Sequence, residues 1–157
     1  MLFISMLAVA AGLSGCADKI LFPEATFTVV SVTPDSLRVE ATVATDTTIV
    51  FPPTSISIIS ETKIPASLEA FSISYTTRLG EPIPQIAVPE TTQNLQILPD
   101  ATTEISLNPY TRRLYDLLSL TNADISPVNA LMRLKIKDIN GNYVQVEANC
   151  LCYASWD

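Results

Sequence analysis

The sequence predicts an all-β domain of two packed sheets, interrupted by one short helix over about residues 109–119. Three observations predict it. Short runs alternate apolar and polar residues with period two, the signature of half-buried strands. Prolines and turn residues punctuate the runs, with 11 prolines in 157 residues. A single stretch carries a helical period instead. About eight short strands separated by proline-rich turns argue for two sheets around one core.

In chain order, Phe27, Val29 and Val32 form the first apolar series against Thr28 and Ser31. Pro34-Asp35 is turn chemistry, with proline fixing φ and aspartate bonding the local backbone. Leu37, Val39, Ala41 and Val43 then alternate with Arg38, Glu40 and Thr42. Thr47 to Phe51 is a β-branched run stopped by Pro52-Pro53. Ile56 and Ile58 alternate with Ser55 and Ser57, and Phe71, Ile73 and Tyr75 with Ser72, Ser74 and Thr76.

Two of the four glycines lie beyond residue 16, each where a hairpin should turn. Gly80 sits between the Phe71 strand and Ile83–Val88. Gly141, in Asp138-Ile139-Asn140-Gly141-Asn142, sits between Leu131–Lys137 and Tyr143–Ala148. Asn-Gly predicts a type I′ turn there, because both central residues of that turn need positive φ. Met132, Leu134 and Ile136 face in with Val144, Val146 and Ala148. Arg133, Lys135 and Lys137 face out beside Gln145 and Glu147. Cys150 and Cys152 continue the inward parity; their Cα separation of about 6.6 Å in a regular strand favours two buried thiols over a disulfide.

The helix is expected to start with Asn108 as N-cap and Pro109 at N1. Tyr110, Leu114, Leu117 and Leu118 fall on one apolar stripe, with Arg112, Arg113, Asp116 and Ser119 on the wet side. Tyr and Arg are also common anchors of protein interfaces. Tyr110, Arg112 and Arg113 are therefore the candidate partner surface.

Ile136-Lys137-Asp138-Ile139-Asn140-Gly141-Asn142-Tyr143-Val144 resembles the closing hairpin of bacterial immunoglobulin-like modules. The resemblance implies an immunoglobulin-like two-sheet sandwich over residues 26–157. The same loop resembles the first positions of a calcium loop. Tyr143 and Asn149 stand where that loop needs glycine and a bidentate glutamate, which favours a capped hairpin turn.

Ahead of the domain, residues 2–11 form an apolar run of signal-peptide length, shorter than the roughly 20 residues a spanning helix needs. It ends in Leu13-Ser14-Gly15-Cys16, which resembles the lipobox of bacterial lipoproteins. The resemblance implies a signal peptide over 1–15, with Leu13, Ser14 and Gly15 as the peptidase motif. Cys16 would be acylated and anchor the chain in a lipid bilayer, and residues 16–25 would form a short tether. No Lys or Arg precedes Cys16. Ala17 after the cysteine favours the outer over the inner membrane by resemblance to enterobacterial sorting.

Composition sets the remaining expectations. The net charge of −7 opposes phosphate backbones and predicts no nucleic-acid partner. The absence of histidine removes histidine-based triads and His-ligated zinc. The carboxylates Glu40, Glu61, Glu69, Glu104 and Asp116 are scattered along the chain. No catalytic residue, metal or cofactor is therefore expected. The resulting expectation is a non-catalytic envelope lipoprotein, a binding or structural adaptor for another envelope protein. The alternative is a ligand-binding or carboxylate-dependent enzymatic lipoprotein with a cleft between sheet and helix.

Overall fold

The computed structural model describes residues 23–38, 51–120 and 125–153. The chain is all-β, with two sheets and one α-helix among these residues. The strands are β1 (Phe27–Thr33), β2 (Ser36–Arg38), β3 (Thr54–Ser60), β4 (Ala66–Thr76), β5 (Val88–Ile97), β6 (Thr103–Leu107), β7 (Val128–Asp138) and β8 (Tyr143–Tyr153). Helix α1 (Arg112–Leu120) connects β6 to β7. The smaller sheet has the order β1-β3-β6 and the larger β2-β8-β7-β4-β5. Pairing is antiparallel except between β2 and β8.

The inward residues of both sheets form one core. Ile56, Ile58, Ile105 and Leu107 of the smaller sheet join Leu68, Ile73, Tyr75, Met132, Leu134 and Ile136 of the larger. Leu114 and Leu118 of α1 belong to the same cluster. Burial alternates strictly along β3, β6 and β7, as period-two patterning requires. Of the expected Leu37–Val43 strand only Leu37 and Arg38 are described, and most of the Thr47–Phe51 run also lies outside the described residues.

Two strands slip phase at bulges. In β1, Val29 pairs with Ile58 and Ser31 with Ser57, leaving Val30 as an extra residue. That is why Val29 and Val32, three positions apart, both pack on the core. In β4, Leu68 pairs with Ile136 and Ala70 with Lys135, so one extra residue brings Leu68 and Phe71 to the same face. The strand therefore begins at Ala66, five residues before the alternation that predicts it.

The helix starts three residues later than expected. Thr111 is its cap: the Thr111 hydroxyl accepts the Leu114 N–H at 3.3 Å. Pro109 and Tyr110 are buried ahead of it, and the Pro109 carbonyl accepts the Tyr75 hydroxyl at 2.8 Å. Residues committed to the core by that bond do not supply the first turn. Leu114 and Leu118 are buried as expected, whereas Leu117 is half-buried.

The last hairpin forms where predicted but with a different turn. Asp138 N–H donates to the Asn142 carbonyl at 2.9 Å, and Gly141 N–H donates to the Asp138 carbonyl at 3.0 Å. Gly141 has φ of +90°, while Lys63 is the one non-glycine residue with positive φ among the described residues. Asn140 thus lacks the positive φ of a type I′ turn. The pattern is a three-residue loop ending in a left-handed glycine.

Candidate functional site

The outward face of the larger sheet carries the most organised polar surface. Register lays its residues out in rungs. Gln96, Ser67 and Lys137 follow one another across β5, β4 and β7, with Tyr143 of β8 next to Lys137. One rung along, Thr92, Ala70, Lys135 and Gln145 do the same. Between them β5 holds an extra residue against β4, so the sheet is bulged on both sides of Glu69. Bulges re-aim side chains and recur beside functional sites.

The bulged region is hollowed. A depression of about 410 Å³ is lined by Ser67, Glu69, Glu90, Thr92, Gln93, Asn94 and Lys135 among others. A second, of about 390 Å³, continues from Ser67 and Asn94 past Gln96 to Lys137 and Ile139. Gln93 lines the first depression, and its Oε1 is buried without a hydrogen-bond partner among the described residues.

The charges on this face are neutralised in pairs. Lys135 Nζ donates to Glu90 Oε1 at 3.1 Å, and Lys137 Nζ lies 3.6 Å from Glu69 Oε1. Arg133 Nε donates to Glu147 Oε1 at 2.9 Å across β7 and β8, the one basic residue that meets the expected partner row. The Glu90 bond and charge raise the Lys135 ammonium above the usual lysine range, and the Glu69 charge does the same for Lys137. Tyr143 bridges the group: its hydroxyl donates to Glu69 Oε2 at 3.1 Å, and both ammonium groups lie within 5.4 Å of its ring centre. The surface therefore offers hydrogen bonds and an aromatic ring with little net charge.

The expected partner surface on the helix is not assembled. Tyr110 is fully buried, donates to the Tyr153 carbonyl at 2.9 Å and stacks on Phe51. It is core, and unavailable to a partner. Arg112 is held by Asp116 at 2.8 Å and lies over the Tyr115 ring, while Arg113 is exposed. Both depressions lie on the outward sheet face rather than between sheet and helix. Of the scattered carboxylates, Glu69 alone enters the site; Glu61 takes the Thr28 hydroxyl and Glu104 is exposed on β6. Glu40 and the motif Leu13, Ser14, Gly15, Cys16 lie outside the described residues.

Cys150 and Cys152 are free and buried on one face of β8. Cys150 Sγ lies 3.6 Å from the Thr54 hydroxyl. Its neighbour Cys150 and burial together push the Cys152 thiol far above the usual range. Among the described residues no group of three or more acidic, Cys or His side chains is placed to hold a metal ion. No helix among them is long and apolar enough to cross a membrane.

No family model matches the chain, and no curated protein does. Among solved structures, it is similar to a Pseudomonas fluorescens alkylpurine DNA glycosylase, AlkC, bound to DNA containing an abasic-site analog. The two share 15% identity at a TM-score of 0.43, over 83% of this chain and 31% of that one. That neighbour is an enzyme on DNA, where the sequence led to a non-catalytic adaptor, no enzymatic role and no nucleic-acid partner. Those three expectations are withdrawn: net charge averages over a whole surface, and lack of histidine leaves carboxylates free to move protons, so composition alone does not exclude such functions. At this similarity neither activity nor ligand carries over to the present chain.

Proposed function

We propose that this chain is a bacterial envelope lipoprotein whose immunoglobulin-like sandwich binds an uncharged, hydroxyl-rich ligand, such as an oligosaccharide, on the outward face of its larger sheet. The lipobox-like Leu13-Ser14-Gly15-Cys16 supports cleavage before Cys16 and acylation of its sulfur, and Ala17 after it supports retention at the outer membrane. The closing hairpin and the two sheets around one core support the immunoglobulin-like assignment.

The observation that carries the ligand reading is the depression lined by Ser67, Thr92, Gln93 and Asn94 beside paired lysines and glutamates. Lysines and glutamates there cancel one another, so a charged ligand gains little, while Gln93, Asn94, Thr92 and Ser67 offer donors and acceptors at close spacing.

Two measurements test this. Palmitate labelling of the producing cells should mark the wild type and spare Cys16→Ala. Calorimetric titration of the processed, detergent-solubilised protein with neutral oligosaccharides should give binding that Gln93→Ala weakens by about tenfold, the loss expected from one buried hydrogen bond. Binding that is absent, or untouched by Gln93→Ala, refutes the ligand reading.

A further inference from the structure

The domain has two ends, and hydrogen bonds fix the one at which its N-terminal segment enters. Asn140 Nδ2 donates to the Pro23 carbonyl at 3.1 Å, and Ala25 N–H donates to Asp138 Oδ2 at 3.3 Å. Thr26 N–H donates to the Thr62 hydroxyl at 3.1 Å and Glu61 N–H to the Thr26 carbonyl at 2.9 Å. The segment 23–26 is thus tied to the β7–β8 loop and to the β3–β4 loop.

The β5–β6 loop belongs to the same end. Ile139 N–H donates to the Pro65 carbonyl at 3.0 Å, Ala66 pairs with Ile97, and Lys63 meets Asp100 at 3.7 Å. Two apolar side chains project there without a role in the core: Ile139, 73% exposed, and Leu98, 50% exposed. Isoleucine at the tip of a tight loop gives the fold nothing, since turn positions favour Gly, Pro, Asn, Asp and Ser.

We infer that this end, with Ile139 and Leu98 at its tip, rests in the interfacial region of the lipid bilayer. The inference builds on the lipid-anchor reading of Cys16. Six residues separate Cys16 from Pro23, and the seven Cα steps between them span about 25 Å at full extension. A polar headgroup layer is about 5 to 8 Å deep on each side of the hydrocarbon. The tether therefore allows the loops at its own end to reach the surface, and Asn140 fixes which loops those are. Leu79, 77% exposed, lies in the β4–β5 turn at the other end of the 11-residue strand β4, about 35 Å away. It makes the internal control. An overall charge of −7 opposes anionic headgroups, so the contact is apolar and independent of anionic lipid.

The test places single indoles on the processed, acylated protein. Ile139→Trp, Leu98→Trp and Leu79→Trp are each made with Trp156→Phe and reconstituted in phosphatidylcholine vesicles containing brominated acyl chains. Emission from positions 139 and 98 should fall at least about twofold relative to unbrominated vesicles, and emission from position 79 should not change. Unquenched indoles at both 139 and 98, on protein whose mass includes the acyl chains, overturn this inference and leave the anchor reading standing. Protein without acyl chains that does not bind the vesicles overturns both.

Discussion

Asp138 holds Asn142 by two bonds at once: Oδ1 accepts its backbone N–H at 2.9 Å and Oδ2 its side-chain amide at 3.0 Å. Asp138 is 4% exposed, and burial alone would raise its carboxyl. The Asn142 bonds, with those from the Ala25 and Asn140 backbones, outweigh burial and hold it below the ordinary value of 3.8. A depressed carboxyl contributes stability that is whole above pH 3.8 and is lost as pH falls through the lower, folded value. Asp138→Ala should cost about 1 to 3 kcal/mol at pH 7 and progressively less below pH 4, measured by urea unfolding across that range. A pH-independent difference between the two proteins would show that the carboxylate form is not what closes the loop.

Leu114 and Leu117 of α1 separate by burial. Leu114 is fully buried, so Leu114→Ala should lose about 2 to 5 kcal/mol. Leu117 is half-buried, and Leu117→Ala should lose roughly half as much. Equal losses in denaturant unfolding would mean that the helix sits rotated from the orientation described.

Tyr75 and Tyr110 should resist ionisation. Burial, then the nearby Cys152, raises both phenols well above 10.0. A raised folded value means that their contribution to stability is whole below pH 10.0 and lost as pH rises toward the folded value. Ultraviolet titration of the native protein should leave Tyr75 and Tyr110 un-ionised at pH 11, and both should titrate at once when the protein unfolds. An absorbance step on alkaline unfolding that neither Tyr75→Phe nor Tyr110→Phe diminishes would contradict the burial of this pair.

The thiols of Cys150 and Cys152 are 1% and 0% exposed. Neither should react with iodoacetamide in the native protein, and both should react in 6 M guanidinium, as read by mass. A product two mass units light and unalkylated would reveal a bridge between them and a strand that buckles to make it.

Most of the core could be read from alternation, and the exceptions share one cause. Val29 to Val32 and Leu68 to Phe71 are steps of three where a strand steps by two, and a bulge accounts for each. A step of three in a sequence is equally the mark of a helix or of noise, and pairing with a neighbour decides which it is. The helix start failed for a related reason: Asn108-Pro109 is good capping chemistry, but the Tyr75 hydroxyl, 34 residues away, claims the Pro109 carbonyl. The candidate site was the least legible part. Strand β5 reads Val88-Pro89-Glu90-Thr91-Thr92-Gln93-Asn94, polar enough to pass for a connection, because an edge strand with one wet face has few apolar positions. Its alignment with Glu69 and Lys135 exists only after three strands have paired.

The parallel pairing of β2 with β8 governs when the molecule can fold. Strand β8 lies between β2 and β7 in the larger sheet, yet the chain supplies it last. Its Cys150 meets Pro34 across 116 residues of sequence. Until Tyr143–Tyr153 has emerged from the ribosome, the larger sheet lacks its second strand, and β2 has nothing to pair with. A nascent chain short of that strand cannot complete the larger sheet, and closing so long a loop places the domain among slow folders.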